Sequence, residues 1–256
     1  MIKKVYVLGG SGFIGSNLVN FFKINNFDVI SITKKNYKNY MNTKCDLFIN
    51  SNGNSKKYFA NINPRKDFDL NVISTKNSLF DFKYDRYVYL SSIDVYGDFK
   101  KKINTNENFK INKTNLSNYG FSKLVSEELV EKYCLKNFLI LRLGGVLGSN
   151  LKKNPIFDIM SNQQLHVNKN SKFSFITVKE IFNFILFSEN TFNGTINLTG
   201  IGTIKLSEII KLFNYENIVD ICLPKYEYLV NTKKLEKIYE IKKTKSYLYD
   251  FLNSIS

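Results

Sequence analysis

Residues 4–15 read KVYVLGGSGFIG, and this stretch indicates the fold more directly than any other part of the chain. The apolar run at residues 5–8 is rich in β-favouring side chains and is typical of a buried strand. Apolar side chains then recur at helical spacing over residues 13–22. The stretch therefore predicts a strand, a tight glycine turn and a helix, which is the opening unit of a doubly wound parallel sheet.

Three glycines in this turn, Gly9, Gly12 and Gly15, stand in the context of a dinucleotide-binding loop. Gly9 permits the sharp turn, Gly12 leaves room for a pyrophosphate, and Gly15 lets the helix pack close to the strand. The N–H groups at the helix start, around Phe13 and Ile14, would face the phosphates together with the positive end of the helix dipole. The alternative is a glycine-rich turn that binds no ligand.

A second strand is predicted at residues 28–32 and is followed by Thr33, Lys34 and Lys35. An acidic residue at this position would hold the ribose 2′-hydroxyl of NAD, and none is present. Two cations would instead attract a 2′-phosphate, so the sequence favours NADP over NAD, with Thr33 and Lys34 as cofactor-binding residues. The alternative is that both lysines are ordinary surface residues of a lysine-rich chain.

A second motif, YGFSK at residues 119–123, lies on a predicted helix over residues 119–133. Tyr119 and Lys123 are four residues apart and share one helix face. A free tyrosine has a pKa of ~10, and a neighbouring ammonium is expected to lower that pKa. Tyr119 could then exchange a proton with a carbonyl or hydroxyl oxygen that Ser92 also binds, while Lys123 reaches the ribose of the cofactor. The alternative is an ordinary helix face.

The two motifs, in this order, resemble the extended short-chain dehydrogenase/reductases, the group of nucleotide-sugar epimerases and dehydratases. The resemblance extends along essentially the whole chain, through residues 63–72, 90–97, 142–148, 173–180 and 231–235. It implies that Ser92, Tyr119 and Lys123 are the catalytic residues, and that Tyr119 and Lys123 also contact an NAD or NADP cofactor.

One departure from the family lies after the second predicted strand. Residues 36–45 are too few for the usual third strand with its flanking helix. Residues 46–50 would then correspond to the family's fourth strand, and it would end in Ser51, Asn52 and Gly53 beside the cofactor.

Other departures concern the substrate. The family's dehydratases carry an Asp-Glu pair just after the catalytic hydroxyl residue, and here those positions are Ile93 and Asp94. Without the full acid pair, elimination of water from a sugar is not expected. Gly145 stands where an asparagine commonly helps to hold the substrate diphosphate, so the resemblance leaves the nucleotide part of the substrate open.

The composition is that of a globular protein with an excess of positive charge. The chain has 256 residues, 43% of them hydrophobic, and a formal net charge of +15. This length can bury one good core, or a core with a small appendage. The charge is spread along the chain without a basic helix, so we favour an anionic cofactor and substrate over nucleic acid as the binding partner.

The chain carries no signal for a membrane or an oxidising compartment. No apolar run approaches the ~18 residues of a transmembrane helix, and the start leads directly into a strand, so no signal peptide is expected. The three cysteines, at positions 45, 134 and 222, lie far apart in the sequence. They show no metal-binding spacing and no disulfide framework, which favours a cytoplasmic location.

The predicted fold is therefore an α/β, Rossmann-type doubly wound sheet with a small C-terminal substrate lobe. We assign residues 1–148 and 173–198 to the NAD(P)-binding domain, and residues 149–172 and 199–256 to the lobe. Helices are expected at residues 178–188, 207–213 and 246–252.

Further predictions concern residues 149–189, in the middle of the chain. Residues 149–172, interrupted by Pro155, are expected to face the substrate, and residues 173–189 to return to the sheet. The single histidine, His166, lies in a predicted strand at residues 163–167. A catalytic base is possible there, but we interpret it as structural or surface-exposed because Tyr119 already supplies the acid–base group.

The functional hypothesis is an NAD(P)-dependent enzyme acting on a nucleotide sugar, by 4-keto reduction or by epimerisation through a keto intermediate. The alternatives are a non-catalytic NAD(P)-binding regulator and a reductase of a non-sugar carbonyl. The family's common pairing through two helices, one of them carrying Tyr119, implies a homodimer.

Overall fold

The computed structural model describes residues 2–99, 101–134, 137–213, 215 and 222–255. Its strands are β1 (Lys4–Leu8), β2 (Asp28–Ile32), β3 (Lys44–Asn50), β4 (Lys83–Ser92), β5 (Phe138–Leu143), β6 (Gly145–Leu147), β7 (Lys172–Phe173), β8 (Phe175–Thr177), β9 (Gly194–Leu198) and β10 (Ile204–Lys205). Its α-helices are α1 (Phe13–Ile24), α2 (Lys57–Ile62), α3 (Pro64–Phe68), α4 (Ser74–Asp81), α5 (Asn118–Tyr133), α6 (Pro155–Met160), α7 (Val178–Phe187), α8 (Leu206–Leu212), α9 (Lys233–Glu236) and α10 (Thr244–Ile255).

A six-stranded sheet in the order β2-β1-β3-β4-β5-β9 forms the centre of the fold. The first five strands of that order pair in parallel, so their carboxyl ends lie at one edge, which we call the carboxyl edge. Helices connect the strands, and the order reverses at β1 between β2 and β3. This is the doubly wound arrangement that the sequence predicts, and ligands of such sheets bind beyond the carboxyl edge.

The chain lacks a strand between β2 and β3, as the length of that segment predicts. A single 3₁₀ turn at Tyr37–Tyr40 connects them. β3 begins two residues before its predicted start and pairs directly with β1, from Val5 opposite Leu47 to Leu8 opposite Asn50. β2 is therefore the terminal strand on its side of the sheet.

Aromatic side chains fill much of one core cluster of this sheet. Tyr6, Phe48 and Tyr87 are fully buried there, and the rings of Phe48 and Tyr87 stack with their centroids 5.3 Å apart. The Tyr87 hydroxyl lies 2.6 Å from the Ser78 hydroxyl and accepts a hydrogen bond from the Asn50 side chain at 2.9 Å. The Tyr87 ring thus packs in this core with its polar end hydrogen-bonded.

The described chain divides into two compact units. The first comprises Met1–Gly97, Lys110–Leu143 and Val178–Ile196, and the second comprises Asp98–Phe109, Gly144–Thr177 and Asn197–Ser256. The second unit has its own apolar core, to which α6, α8 and α10 contribute Ile156, Ile209 and Leu248. The cofactor-binding and substrate-binding roles assigned to the two parts of the chain remain predictions.

Three local predictions for the second unit are wrong. Residues 163–167, around His166, form no strand, because Asn162 adopts a positive φ of 49° in the turn that ends α6. Pro155 does not interrupt a loop but opens α6, where a missing N–H costs nothing. Residues 172–177 do not return to the central sheet, because β7 pairs with β10 and β8 pairs with β6 in small separate sheets.

Candidate active site

The glycine loop has the strand–turn–helix geometry that the sequence predicts. Gly9 has φ of +77°, which favours glycine, and α1 begins at Phe13 with Gly12 as its N-cap. A Cβ on Gly15 would lie 2.3 Å from the Gly9 carbonyl oxygen, so the helix packs against the turn at a distance that only glycine allows. These contacts place the start of α1 at the end of β1.

The loop also leaves space where a phosphate would bind. A Cβ on Gly12 would lie 3.2 Å from the Gly9 carbonyl oxygen and otherwise project into open space among the described residues. The N-cap, Gly12, has no side chain that could cap the first turn of α1. The N–H groups of its first turn therefore form a cradle of the kind that accepts phosphate oxygens.

The predicted cofactor-binding segments after β2 and β3 lie against this loop. The Gly9 N–H donates to the Ile32 carbonyl at 2.9 Å, and the Ser51 N–H and hydroxyl both donate to the Leu8 carbonyl, at 3.0 and 2.7 Å. These bonds bring the carboxyl ends of the first three strands together. Gly9, Ile32 and Ser51 thus mark the part of the carboxyl edge where the predicted cofactor site lies.

Thr33 and Lys34 differ in how firmly they are held. The backbone N–H of Thr33 donates to the Asn36 side-chain oxygen at 2.7 Å, and its hydroxyl donates to the same oxygen at 3.2 Å. Asn36 in turn donates to the Ser31 carbonyl at 2.9 Å, which closes the turn. Lys34 and Lys35 are exposed.

Asn52 and Gly53 continue the segment after β3. The Asn52 side chain donates to the Ser74 hydroxyl at 2.6 Å, which ties the segment to α4. Gly53 has φ of +130°, and a Cβ there would lie 2.4 Å from the Asn71 side-chain oxygen. Polar side chains of the neighbouring helix therefore shape this segment.

Ser92, Tyr119 and Lys123 meet at the end of β4, in the first unit. Ser92 is the last residue of β4, and the other two lie one turn apart on α5, which Ser117 caps by accepting the Gly120 N–H at 3.1 Å. A Cβ on Gly120 would lie 2.4 Å from the Asp94 carbonyl oxygen, so the glycine lets α5 approach the end of β4. The three side chains are 8%, 7% and 5% exposed, which keeps water from most of their surface.

The Lys123 ammonium is directed at β4. It donates to the Leu90 carbonyl at 3.0 Å and lies 4.8 Å from the centre of the Tyr89 ring. The prediction of a lowered pKa for Tyr119 is wrong in this structure. Burial raises the pKa of Tyr119, the charge of Asp94 raises it further, and a hydrogen bond with Ser92 and the charge of Lys57 only partly oppose the rise.

Asp94 and Lys57 are two charged residues beside this group to which the sequence assigned no role. Asp94 accepts hydrogen bonds from the Ser92 hydroxyl at 2.9 Å and from the Lys57 ammonium at 2.6 Å. Lys57 is the first residue of α2, 37 positions away in the chain. The acidic position two residues after Ser92 was a signal for Asp94, whereas no sequence pattern connects Lys57 to it.

A buried ion pair fixes the helix that carries Tyr119. Glu127 lies one turn beyond Lys123 on α5, and its carboxylate accepts from the Arg142 guanidinium at 2.7 Å. The same carboxylate accepts from the Ser91 hydroxyl, and Arg142 also donates to the Tyr96 hydroxyl at 3.0 Å. The network joins α5, β4 and β5 directly behind Ser92.

A second buried carboxylate lies beneath the segment after β3. Asp67 is fully buried and accepts from the side chains of Asn54 and Asn71, at 2.7 and 2.9 Å. Asn71 belongs to a π-helical turn at Asp69–Ile73, between α3 and α4. Such turns are frequent at functional sites, and this one holds Asn71 beside Gly53.

In the second unit, an aromatic ring lies against Gly145. A Cβ on Gly145 would lie 2.6 Å from an edge carbon of the Phe175 ring. The glycine therefore accommodates a buried ring where the family commonly has an asparagine side chain.

The described ranges contain no cluster of three or more His, Cys, Asp or Glu side chains placed to hold a metal ion. Within the same ranges, every helix is too short or too polar to cross a membrane.

A family model of NAD-dependent epimerases and dehydratases matches residues 5–178, a stretch that contains the glycine loop and the Tyr119 helix. The chain belongs to the NAD-dependent epimerase/dehydratase family. Membership confirms the resemblance inferred from the glycine loop and the tyrosine–lysine motif.

Two curated proteins are similar in sequence to this family member. A putative UDP-glucose 4-epimerase of Methanocaldococcus jannaschii is 34% identical over 176 residues, which cover 56% of this chain and 56% of that protein. A GDP-6-deoxy-D-talose 4-dehydrogenase of Aggregatibacter actinomycetemcomitans is 27% identical over 226 residues, which cover 78% of this chain and 75% of that protein. The match to the first thus spans about half of its length.

A solved structure confirms the fold. The dTDP-4-dehydrorhamnose reductase of Bacillus anthracis in complex with NADP has a TM-score of 0.77 against this family member, at 16% identity and over 99% of both chains. The glycine cradle and the converging strand ends fit a dinucleotide at the carboxyl edge.

Proposed function

We propose that this protein is an NAD(P)-dependent enzyme that reduces a keto group of a nucleotide sugar, at C4, or epimerises the sugar through that ketone. The observation that carries the proposal is the convergence of Ser92, Tyr119 and Lys123 at the same carboxyl edge as the glycine loop. Family membership and the two relatives, an epimerase and a 4-dehydrogenase, support the substrate class.

The residues of the glycine cradle would hold the cofactor. Backbone groups at Gly12, Phe13 and Ile14 would bind the pyrophosphate, and Ser51, Asn52 and Gly53 would line the site after β3. When bound, the nicotinamide supplies or accepts the hydride. Exposed Lys34 and the turn at Thr33 support a preference for NADP, because a 2′-phosphate would find a cation there and no carboxylate.

Tyr119 would transfer the proton at the reacting oxygen. Burial keeps its pKa high, so it is protonated at neutral pH and ready to donate to the oxygen of a ketone. Ser92 would orient the same oxygen. Lys123 would hold Tyr119 and the cofactor ribose in fixed positions relative to each other.

The first experiment is a fluorescence titration of the purified protein with NADPH and with NADH. Tighter binding of NADPH supports the reductase, and tighter binding of NADH supports the epimerase. The protein is then incubated with NADPH and a panel of 4-keto nucleotide sugars, and with nucleotide sugars alone. A reductase consumes NADPH with each turnover, whereas an epimerase does not. Failure to bind either dinucleotide would contradict the proposal.

A non-catalytic regulator would need the glycine loop alone. The complete set of Ser92, Tyr119 and Lys123 therefore supports an enzyme over a regulator, and no feature of the described residues favours a non-sugar carbonyl substrate.

We further propose a cytoplasmic homodimer. The buried free thiols of Cys45 and Cys134 support a reducing compartment. On α4 and α5, the rings of Phe80 and Tyr133 contact each other with their centroids 4.9 Å apart while remaining 57% and 49% exposed. An exposed aromatic pair on these two helices supports pairing of the helices with those of a second copy.

A further inference from the structure

Aromatic side chains of the second unit form a row that begins beside Gly145. The Phe175 ring, which lies against that glycine, stacks with the ring of Phe173 at a centroid distance of 6.1 Å and an interplanar angle of 28°. Tyr228 follows Phe173 at 5.6 Å and 32°, and Tyr226 follows Tyr228 at 6.1 Å and 20°. Each ring is thus inclined only moderately to the next, and the row ends at Tyr226.

The row runs from the interior of the second unit to its surface. Phe175 is 1% exposed, Phe173 and Tyr228 are half-buried, and Tyr226 is 42% exposed. Part of the Tyr226 ring is therefore open to a ligand, whereas the ring at the start of the row is covered by protein. A tyrosine in this position offers a flat apolar surface with a polar tip.

Backbone and ring contacts hold the outer end of the row in place. The Lys172 N–H donates to the Tyr226 carbonyl at 2.8 Å, and the Tyr228 N–H donates to the Lys172 carbonyl at 3.0 Å. The Tyr226 N–H donates to the buried Ser171 hydroxyl at 3.1 Å, and the Phe99 ring packs edge-on against Tyr228 with the centroids 4.7 Å apart. The two tyrosines are therefore positioned before any ligand arrives, which lowers the entropy cost of binding to them.

The charged side chains of the same segment lie on its other face. Successive side chains of an extended segment alternate between faces, so Glu227 projects away from the two tyrosine rings. Its carboxylate accepts from Lys225 at 2.9 Å and from Lys172 at 3.4 Å. The face that carries the rings is therefore suited to a planar, uncharged group rather than to a phosphate.

We propose that Tyr226 is the stacking site for the nucleobase of the nucleotide-sugar substrate, and that Tyr228 supports its ring. This inference rests on the proposed function for the presence of a nucleotide in the substrate. Gly145 offers no side chain where the family commonly has an asparagine that helps to hold the diphosphate, so a larger share of nucleotide binding falls to the base. Every nucleobase has a π face that can stack on an aromatic ring, whereas a sugar phosphate without a base has none.

The first test uses the fact that the sequence contains no tryptophan. Tyr226→Trp introduces a single indole at the proposed site, and Tyr249→Trp introduces one on α10 at a position of similar exposure, 39%. Each variant is titrated with UDP, dTDP and GDP while the indole fluorescence is recorded. We expect the nucleotides to quench the indole at position 226 and to leave the one at position 249 unchanged, and ribose 5-phosphate and pyrophosphate to change neither.

Two results of this titration would overturn the proposal. One is failure of all three nucleotides to quench Tyr226→Trp, or equal quenching in both variants. The other is equal quenching by ribose 5-phosphate, which would assign the ring to the sugar instead of the base.

The second test measures nucleotide affinity by calorimetry, with the nucleotide that quenches most strongly. Tyr226→Ala should weaken its binding by about ten-fold, whereas Tyr226→Phe should bind as the wild type does because the ring is kept. Tyr249→Ala is the matched control and should also bind normally. Unchanged affinity in Tyr226→Ala would overturn the proposal.

Turnover separates this inference from the proposed function. With the nucleotide sugar that the wild type converts, Tyr226→Ala should raise KM and leave kcat unchanged, because stacking on the base is the same in the ground state and the transition state. If the wild type converts no nucleotide sugar but still binds nucleotides through Tyr226, the proposed function fails and the stacking site stands. If it converts one and nucleotide binding does not depend on Tyr226, the stacking site alone is wrong.

Discussion

Tyr119 is a buried phenol, and the negative charge of Asp94, which accepts from the Ser92 hydroxyl, acts on it. At the scale of the single residue this explains why the phenol keeps its proton: the surrounding protein solvates a phenolate poorly, and the charge of Asp94 opposes it. The role usually given to a lysine one turn away, lowering the pKa of the tyrosine, is not the dominant effect here. Lys123 instead fixes β4 through the Leu90 carbonyl.

The residue-scale prediction for catalysis concerns the hydroxyl of Tyr119. Tyr119→Phe should lower turnover by about 10²- to 10⁴-fold, the usual contribution of a positioned acid–base group, and should leave dinucleotide binding within error of wild type. Tyr133→Phe, at an exposed position on the same helix, is the control and should keep full activity. Retained activity in Tyr119→Phe would remove Tyr119 from the mechanism.

The residue-scale prediction for cofactor choice concerns Lys34. Lys34→Glu should weaken NADPH binding relative to NADH by about ten-fold, because a carboxylate would repel the 2′-phosphate and can accept from the 2′-hydroxyl. Lys38→Glu makes the same change of charge at another exposed position of the connection after β2 and should leave the ratio unchanged. Fluorescence titration measures both ratios, and equal effects of the two variants would mean that only net charge matters.

At the scale of elements, α5 is held by the buried pair of Glu127 and Arg142. Glu127→Gln should lower the free energy of unfolding by about 3–5 kcal/mol, because it leaves a buried guanidinium without its counter-charge. The neighbouring residue gives a matched control: Glu128 pairs with Lys113 at an exposed site, and Glu128→Gln should cost less than about 1 kcal/mol. Urea denaturation measures both changes in the free energy of unfolding. Similar losses in the two variants would show that the buried ion pair stabilises the fold no more than the exposed one.

The helices α4 and α5 also carry the prediction for assembly. Phe80→Glu should convert the proposed dimer to a monomer, because it places a carboxylate at the exposed aromatic pair of these helices. Tyr249→Glu, on the exposed face of α10, is the control. Sedimentation velocity distinguishes the two states, and a dimer that survives Phe80→Glu would require a different interface.

At the scale of the whole molecule, buried tyrosines make stability sensitive to alkaline pH. Burial raises the pKa of Tyr37, Tyr84, Tyr87, Tyr89 and Tyr119. Above pH ~10 the unfolded chain releases phenolic protons that the folded chain retains, so the free energy of unfolding must fall as pH rises. Urea denaturation at pH 8, 9.5 and 10.5 should show the fall only at the upper end, and a flat profile would contradict it. Tyr119→Phe should make the slope shallower.

Much of this architecture could be predicted because it depends on residues close together in sequence. The glycine loop, the helix that carries Tyr119 and Lys123, and the shortened connection after β2 each follow from local spacing. The pairing of Asp94 with Lys57 and of Glu127 with Arg142 could not, because each joins residues that only the folded sheet brings together. For the pair of Glu127 and Arg142, the sequence does contain a partial signal. Arg142 is one of three arginines among 37 basic residues, and a chain that otherwise uses lysine keeps arginine where a planar group with several donors is needed.

The turn at Tyr37–Tyr40 has a consequence beyond the cofactor site. No strand pairs with the outer side of β2 in this sheet, so β2, with five residues, is an edge strand whose outer backbone groups are unpaired within the sheet. Open borders of this kind can recruit strands from other molecules and seed fibrils. Here the strand is short, begins at Asp28, and is followed by exposed Lys34 and Lys35. The two cations proposed to select a phosphorylated cofactor would then also protect the protein against lateral aggregation.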